Sequence, residues 1–136
     1  MDKNMDVNKK YDNSKNISNE EMIQKIKKEV KKIQPELIET IQELVSIYSI
    51  QMEPEENAPF GKGPAEALNK ALEISERLGF NTVNIDNKIG YAEYIPEEIR
   101  GYEEYIGIFG HVDVVPLGEG WKYPPLGGKI ENNRIY

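Results

Sequence analysis

Residues 105–115 read YIGIFGHVDVV, and this stretch decides the fold class of the chain. It is apolar almost throughout, which is the composition of a β-strand that is buried on both of its faces. We therefore predict a buried strand over residues 105–115. Helical patterns precede it along the chain, so the sequence predicts helices followed by strands.

The first helical pattern lies upstream of this strand. Apolar residues recur at steps of three and four from Ile23 to Tyr48, which marks one face of a helix. Ser18 or Asn19 can cap its N-terminus. Pro35 has no backbone N–H, so we expect a kink or a break into two helices close to it.

A second helix and two hairpins follow from turn and cap residues. Pro64 suits the first turn of the helix, and Gly79 is the expected left-handed residue at its C-terminal end. Strands are predicted over residues 82–85 and 89–94, on either side of a turn at Asp86 and Asn87. Loops are predicted over residues 53–63 and 95–101. A hairpin over residues 127–136 turns at the pair 132–133.

The two ends of the chain have different predicted characters. Residues 1–17 are rich in Asn, Lys and Asp, and we predict a disordered tail because they have too few apolar residues to bury. Residues 18–136 form the folded portion. The sequence stops just after the predicted hairpin turn, so we expect it to be the N-terminal portion of a longer protein.

Composition narrows the possible chemistry. The chain has 136 residues, one His, no Cys and a net charge of −7. Disulfides, cysteine zinc sites, thiol nucleophiles and metal sites with several histidines from this chain alone are therefore excluded. The acidic balance argues against nucleic acid and anionic membranes as partners. No transmembrane run or secretory signal is recognisable, which favours a cytoplasmic protein.

His111 and Asp113 are the candidate chemical residues. Both lie near the C-terminal end of the predicted strand, and residues i and i+2 of a strand project to the same face. A carboxylate beside an imidazole can fix the tautomer of a metal-binding or catalytic histidine. A structural His–Asp pair at a strand end remains the alternative. Ser46 and Ser49 lack a Gly-x-Ser-x-Gly context, so a serine hydrolase is not supported.

The segment GHVDVVP, residues 110–116, resembles part of the signature of a known family. Together with the Trp–Pro loop that follows and with KIENNRIY at 129–136, this segment resembles the first half of the M20 metallopeptidase signature. Residues 58–80 (APFGKGPAEALNKALEISERLGF) resemble its PepV-like, or Xaa-His, dipeptidase branch. The resemblance covers residues 23–136.

The resemblance implies an α/β fold: the N-terminal, incomplete portion of a zinc-peptidase-like catalytic domain, with two or three helices followed by strands of a mixed sheet. His111 matches a metal ligand, and Asp113 matches the catalytic aspartate that orients that histidine. Two Zn²⁺ ions are implied for the full-length site, with Mn²⁺ or Co²⁺ as alternatives. The implied reaction is hydrolysis of the peptide bond of a dipeptide by a metal-activated water.

In that family the general base and the other metal ligands follow at positions beyond Tyr136. We therefore expect the isolated chain to be inactive. A dipeptide is the expected partner, and no residue is assigned to substrate binding. An M20-type N-acyl amino acid deacylase and a non-catalytic remnant or interaction module are the alternative functions.

Overall fold

The computed structural model describes residues 17–96, 101 and 104–136. It contains two helices, α1 (Asn19–Val45) and α2 (Lys62–Arg77), and four strands, β1 (Asn81–Ile85), β2 (Ile89–Glu93), β3 (Ile130–Glu131) and β4 (Arg134–Ile135). The chain divides into two compact units, Met1–Leu37 and Ile38–Tyr136, with the boundary inside α1. The predicted α/β class is confirmed.

Helix α1 begins with a reciprocal cap. The Ser18 hydroxyl accepts a hydrogen bond from the Glu21 backbone N–H at 3.2 Å, and the Glu21 carboxylate accepts one from the Ser18 N–H at 3.0 Å. This is the capping box, which satisfies two backbone donors at a helix start. The helix then runs through Pro35 without interruption, so a break into two helices is wrong. The in-phase apolar stripe on both sides of Pro35 agrees with a single helix.

No residue of α1 is buried. The Lys-rich part of the helix is exposed, and Lys32 pairs with Glu29 at 2.7 Å on the same surface. The apolar residues Ile26 and Ile33 are 56% and 54% exposed. The helical period was therefore predicted correctly, whereas the burial that such a stripe usually indicates is not found.

Helix α2 packs against the residues that follow α1. Its buried positions are Pro64, Ala65, Ala67 and Ile74. A Cβ placed on Gly63 would lie 2.0 Å from the Tyr48 carbonyl oxygen, so only glycine permits this approach of two backbones. The N–H groups of Gly79 and Phe80 bond the carbonyls of Glu76 and Ser75. These bonds form a Schellman motif, and the predicted cap at Gly79 is confirmed by its φ of 88°.

Charged side chains add a second connection between α2 and the end of α1. Arg77 donates to the Glu43 carboxylate at 3.0 Å, and the Lys70 ammonium lies 3.9 Å from the same residue. Lys70 also hydrogen-bonds Glu73, and this bond holds the pKa of the Glu73 carboxyl below its usual value. These groups are solvated, so they define the helix orientation more than they stabilise it.

Strands β1 and β2 form the predicted antiparallel hairpin, with Val83 opposite Tyr91. The turn is confirmed at Asp86 and Asn87, whose φ angles are 55° and 53°. The hairpin packs on α2, where a Cβ at Gly90 would stand 3.0 Å from the side chains of Leu68 and Leu72. Helix and hairpin thus share one small apolar interface.

Strands β3 and β4 form the second predicted hairpin. Its turn at Asn132 and Asn133 has φ angles of 51° and 59°, as the Asn–Asn pair indicated. The Gln42 side chain of α1 donates to the Gly128 carbonyl at 2.8 Å, which ties this hairpin to the end of α1. The two hairpins are separate two-stranded sheets, so the described residues do not form the mixed sheet that we expected.

The predicted strand over residues 105–115 is wrong. This segment pairs with the rest of the chain only at the isolated parallel bridge between Ile50 and Val114. Ile106, Ile108 and Phe109 are 96%, 94% and 97% exposed. Apolar side chains favour burial, but a β-strand also needs a neighbouring strand whose backbone it can hydrogen-bond. Among the described residues no second strand lies along 105–111.

Two predicted segments fall largely outside the described residues. They are the disordered tail at 1–17, of which only Ile17 is described, and the middle of the loop at 95–101. Within the described parts of the chain, no helix has the length and apolar character needed to cross a membrane.

Replacing Gly63 by Ala tests the contact between α2 and Tyr48. Helix propensity alone would favour Ala by about 1 kcal/mol. We expect instead a loss of about 2–4 kcal/mol, because the added Cβ would overlap a backbone oxygen. Thermal unfolding followed by circular dichroism measures the change. Gly110→Ala is the matched control, since nothing lies within 4 Å of its Cβ position, and a stabilised Gly63→Ala variant would contradict the packing.

Candidate functional site

His111 and Asp113 lie side by side, as the i and i+2 spacing predicted. The His111 Nδ1 atom is 3.0 Å from the backbone carbonyl oxygen of Asp113 and 3.4 Å from its carboxylate oxygen Oδ1. Their side chains are 82% and 60% exposed. A backbone carbonyl oxygen can only accept, so the 3.0 Å contact is a hydrogen bond in the tautomer that carries its proton on Nδ1. In that tautomer the lone pair of Nε2 is left for another partner.

His111 and Asp113 lie on an extended segment that is hydrogen-bonded to Ser49. Nothing in the sequence indicated this contact. Ser49 is 2% exposed, and its hydroxyl donates to the Val112 carbonyl at 2.8 Å. Its own carbonyl accepts from the Val114 N–H at 3.2 Å. The two contacts link Ser49 to backbone groups that lie 63 and 65 positions later in the chain. No local sequence pattern at Ser49 predicts them. Ser49 is thus part of the site's frame, and it is not set up as a nucleophile.

A cavity of about 580 Å³ adjoins the pair. Its volume is within the range of small-molecule sites. Apolar side chains of α2 and β2 and one loop aromatic form much of its wall, and His111 and Asp113 supply polar groups. The lining residues that matter here are Phe60, Leu68, Leu72, Tyr91, His111 and Asp113.

The loop that carries Phe60 is ordered by its own backbone and by asparagines. Ala58 and Glu55 exchange two backbone hydrogen bonds of 3.0 Å, and Ala58 is buried. From the hairpin turn, the Asn87 side chain donates to the Asn57 carbonyl at 2.7 Å. The predicted loop at 53–63 is therefore a defined structure that places Phe60 in the cavity wall.

The same asparagine ties the loop to α2. Asn84 donates to the Asn69 side chain and to Asn87, each at 2.7 Å. Asn87 in turn receives a weaker bond of 3.4 Å from Asn69. The positive φ of Asn87 is what lets its amide reach both neighbours. The network fixes helix, hairpin and loop around one side of the cavity.

The described side chains offer few possible ligands for a metal ion. Zn²⁺ in proteins usually takes four ligands. Across residues 17–96, 101 and 104–136, no group of three or more His, Asp or Glu side chains is placed to hold a metal ion. The imidazole of His111 can supply one ligand through Nε2, with Asp113 at its other ring nitrogen, so these residues fit part of such a site and do not complete one.

Other residues noted in the sequence do not join the pair. Ser46 lies at the end of α1 and donates to the Glu43 carbonyl at 2.7 Å. Trp121, in the Trp–Pro loop, is 56% exposed, and its indole N–H bonds the Leu117 carbonyl four residues earlier. The Trp–Pro loop thus folds on itself and does not wall the cavity.

Comparison with known proteins finds bacterial dipeptidases. The chain is 37% identical over 110 residues to "Putative dipeptidase YtjP" of Bacillus subtilis (strain 168), which covers 79% of this chain and 23% of that protein. It is 40% identical over 105 residues to "Beta-Ala-Xaa dipeptidase" of Lactobacillus delbrueckii subsp. lactis, covering 74% of this chain and 21% of that protein.

A third relative, "Putative dipeptidase" of Staphylococcus epidermidis (strain ATCC 12228 / FDA PCI 1200), is 36% identical over 80% of this chain and 23% of its own length. No family model matches the chain. The chain is therefore homologous to proteins that carry the name dipeptidase, and it spans less than a quarter of the length of each of these three relatives.

The protonation of His111 can be measured directly. At a pH where the ring is neutral, we expect the Nδ1–H tautomer to dominate, because a backbone carbonyl oxygen 3.0 Å from Nδ1 can only accept. Nitrogen-15 chemical shifts of the two ring atoms report the tautomer. Asp113→Ala keeps the carbonyl and removes the carboxylate, so it should retain most of the preference. A predominant Nε2–H form would contradict the geometry.

Replacing Asn87 by Gly tests how the loop of Phe60 is held. Glycine keeps the left-handed backbone, whereas the hydrogen bond to Asn57 is lost. Hydrogen exchange at the Glu55 and Ala58 amides should speed up about fivefold to tenfold. Asp86→Gly is the matched control, since its φ is also positive and its side chain makes no bond to the loop. Equal exchange rates in the two variants would contradict the proposed support.

Proposed function

We propose that this chain is part of a metal-dependent dipeptidase of the M20 type, in the PepV-like branch. The observation that carries the proposal is the combination of two facts. Relatives named as dipeptidases match 74–80% of the chain at 36–40% identity, and an exposed His–Asp pair lies beside a cavity. The proposed reaction is hydrolysis of the peptide bond of a dipeptide.

His111 is the proposed metal ligand, through Nε2. The contact between its Nδ1 and the Asp113 residue supports this role, because an acceptor at one ring nitrogen leaves the other as a ligand. Asp113 is the proposed orienting residue. Since His111 supplies only one ligand of a Zn²⁺ site, the remaining ligands come from outside the described residues in this proposal, and the isolated chain is inactive.

The cavity beside the pair is the proposed place for part of the substrate. Its apolar walls at Phe60, Leu68 and Tyr91 suit a substrate side chain or methylene group, and its polar end lies at His111. A dipeptide combines such an apolar side chain with a polar peptide bond. The arrangement therefore supports a short peptide as substrate better than a long polar one.

A chimera gives the sharpest test. The 105 residues of the Lactobacillus delbrueckii relative that match this chain are replaced by the corresponding residues of this chain, and hydrolysis of a β-Ala-Xaa dipeptide is assayed. We expect activity that a chelator removes and Zn²⁺ restores. His111→Ala should lower kcat/KM by more than about a hundredfold, and Asp113→Asn by about tenfold to a hundredfold. A chimera whose activity is indifferent to His111→Ala would overturn the proposal.

The 136-residue chain is tested alone beside the chimera. With added Zn²⁺ or Mn²⁺ it should hydrolyse no dipeptide above the level of a His111→Ala control. Calorimetric titration with Zn²⁺ should show no stoichiometric submicromolar binding, because one imidazole holds the ion weakly when four ligands are usual. Tight binding or activity in the chain alone would refute the incomplete-site part of the proposal.

A further inference from the structure

Ser49 is the buried polar side chain of this structure. Among the described residues it is the polar residue classed with the core, at 2% exposure, beside apolar neighbours such as Ile47. A hydroxyl withdrawn from water destabilises the fold unless it is hydrogen-bonded. The Ser49 hydroxyl meets this requirement at one place, the Val112 carbonyl, 2.8 Å away. Its burial therefore ties it to the segment that carries His111 and Asp113.

The contact has two parts that enclose Asp113. The Ser49 hydroxyl holds the carbonyl of Val112, on the N-terminal side of Asp113. The Ser49 carbonyl holds the N–H of Val114, on its C-terminal side. The peptide units before and after Asp113 are thus both fixed to the same residue. We call these two hydrogen bonds the Ser49 clamp. His111 immediately precedes Val112, so the clamp holds the backbone between His111 and Asp113.

Few other contacts hold this segment. Among the hydrogen bonds of described residues 104–121, the two to Ser49 reach another part of the chain and the others are local. The isolated parallel bridge between Ile50 and Val114 lies at the same place. Ile108 and Phe109, shortly before His111, are 94% and 97% exposed. The contacts at Ser49 and Ile50 are therefore the main restraints on residues 112–114.

Ser49 is itself held firmly. Its N–H bonds the Ile47 carbonyl at 3.0 Å, and the preceding residue Tyr48 lies against Gly63 at the start of α2. Ser49 therefore lies beside a buried part of the chain that includes Ile47, Ala65 and Ala67. A hydroxyl held at this place can restrain the segment that it hydrogen-bonds.

We propose that Ser49 is a positioning residue that fixes the Val112 and Val114 peptide units and thereby sets the geometry of the His111–Asp113 pair. The inference deepens the proposed function and rests on it for the chemical role of the pair. Ser49 touches neither His111 nor Asp113 side chains and takes no part in bond making. Its effect is carried by the backbone.

The test replaces Ser49 by Ala in the full chain. Two signals are measured by NMR: hydrogen exchange at the Val114 amide and the ring nitrogen-15 shifts of His111. We expect exchange to rise about tenfold and the Nδ1–H preference of His111 to fall toward that of a free imidazole. Ser46→Ala removes a hydroxyl three residues away that bonds only the Glu43 carbonyl, and it should change neither signal.

The tautomer of His111 distinguishes a positioning role of Ser49 from a general contribution of Ser49 to stability. Circular dichroism and the amide signals of the β1–β2 hairpin monitor folding. If Ser49→Ala unfolds the chain, Val114→Pro replaces it, because proline removes the N–H that bonds Ser49 and leaves the buried hydroxyl in place. Val115→Pro is its control, at a residue that is 79% exposed. A folded Ser49→Ala or Val114→Pro variant with unchanged His111 shifts would overturn the inference.

The chimera distinguishes this inference from the proposed function. There Ser49→Ala should lower kcat at least tenfold with KM changed less than twofold, since geometry at the reacting groups is altered and the cavity is not. If His111→Ala leaves the chimera fully active, the proposed function fails, while the tautomer signal still decides the clamp. If His111→Ala abolishes activity and Ser49→Ala changes neither kcat nor the tautomer, the clamp alone is wrong.

Discussion

The contact between Gly63 and the Tyr48 carbonyl is the constraint on which residues 38–136 depend. It brings the first turn of α2 against the chain that leaves α1, at a distance that any side chain at residue 63 would prevent. Packing this close buries Ile47, Ala65 and Ala67 without large side chains between them. It also fixes Ser49, one residue beyond Tyr48. The geometry of residues 111–114 therefore follows from a backbone contact that involves none of them.

A second set of constraints is polar. Asn57, Asn69, Asn84 and Asn87 connect a loop, a helix and a hairpin through side-chain amides. An amide both donates and accepts, so each asparagine can satisfy two neighbours of different kinds. Three small elements that share little apolar area are held together in this way. The cavity wall at Phe60 depends on this network as well as on the packing of α2.

The relation to dipeptidases gives the exposed apolar surface a context. Ile106, Ile108 and Phe109 are almost fully exposed, and the chain spans 21–23% of the length of the three relatives described above. Among the described residues, His111 also lacks the further ligands that a metal ion would need.

Local features were predictable from the sequence. The Ser18 cap, the left-handed Gly79, both Asn-rich turns and the adjacency of His111 and Asp113 are set within a few residues, where steric and hydrogen-bonding rules act directly. The unpaired state of residues 105–113 was not predictable, because a strand forms only where a neighbouring backbone pairs with it. The helix also runs through Pro35, although proline removes one backbone donor.

The sequence by itself determined the turns, the caps and the spacing of the His–Asp pair. Only the tertiary structure decided that Ser49, an unremarkable serine after a helix, is buried and holds residues 112 and 114. The physical reason is the range of the interaction. A hydrogen bond between residues that lie 63 positions apart leaves no periodicity or motif in the sequence.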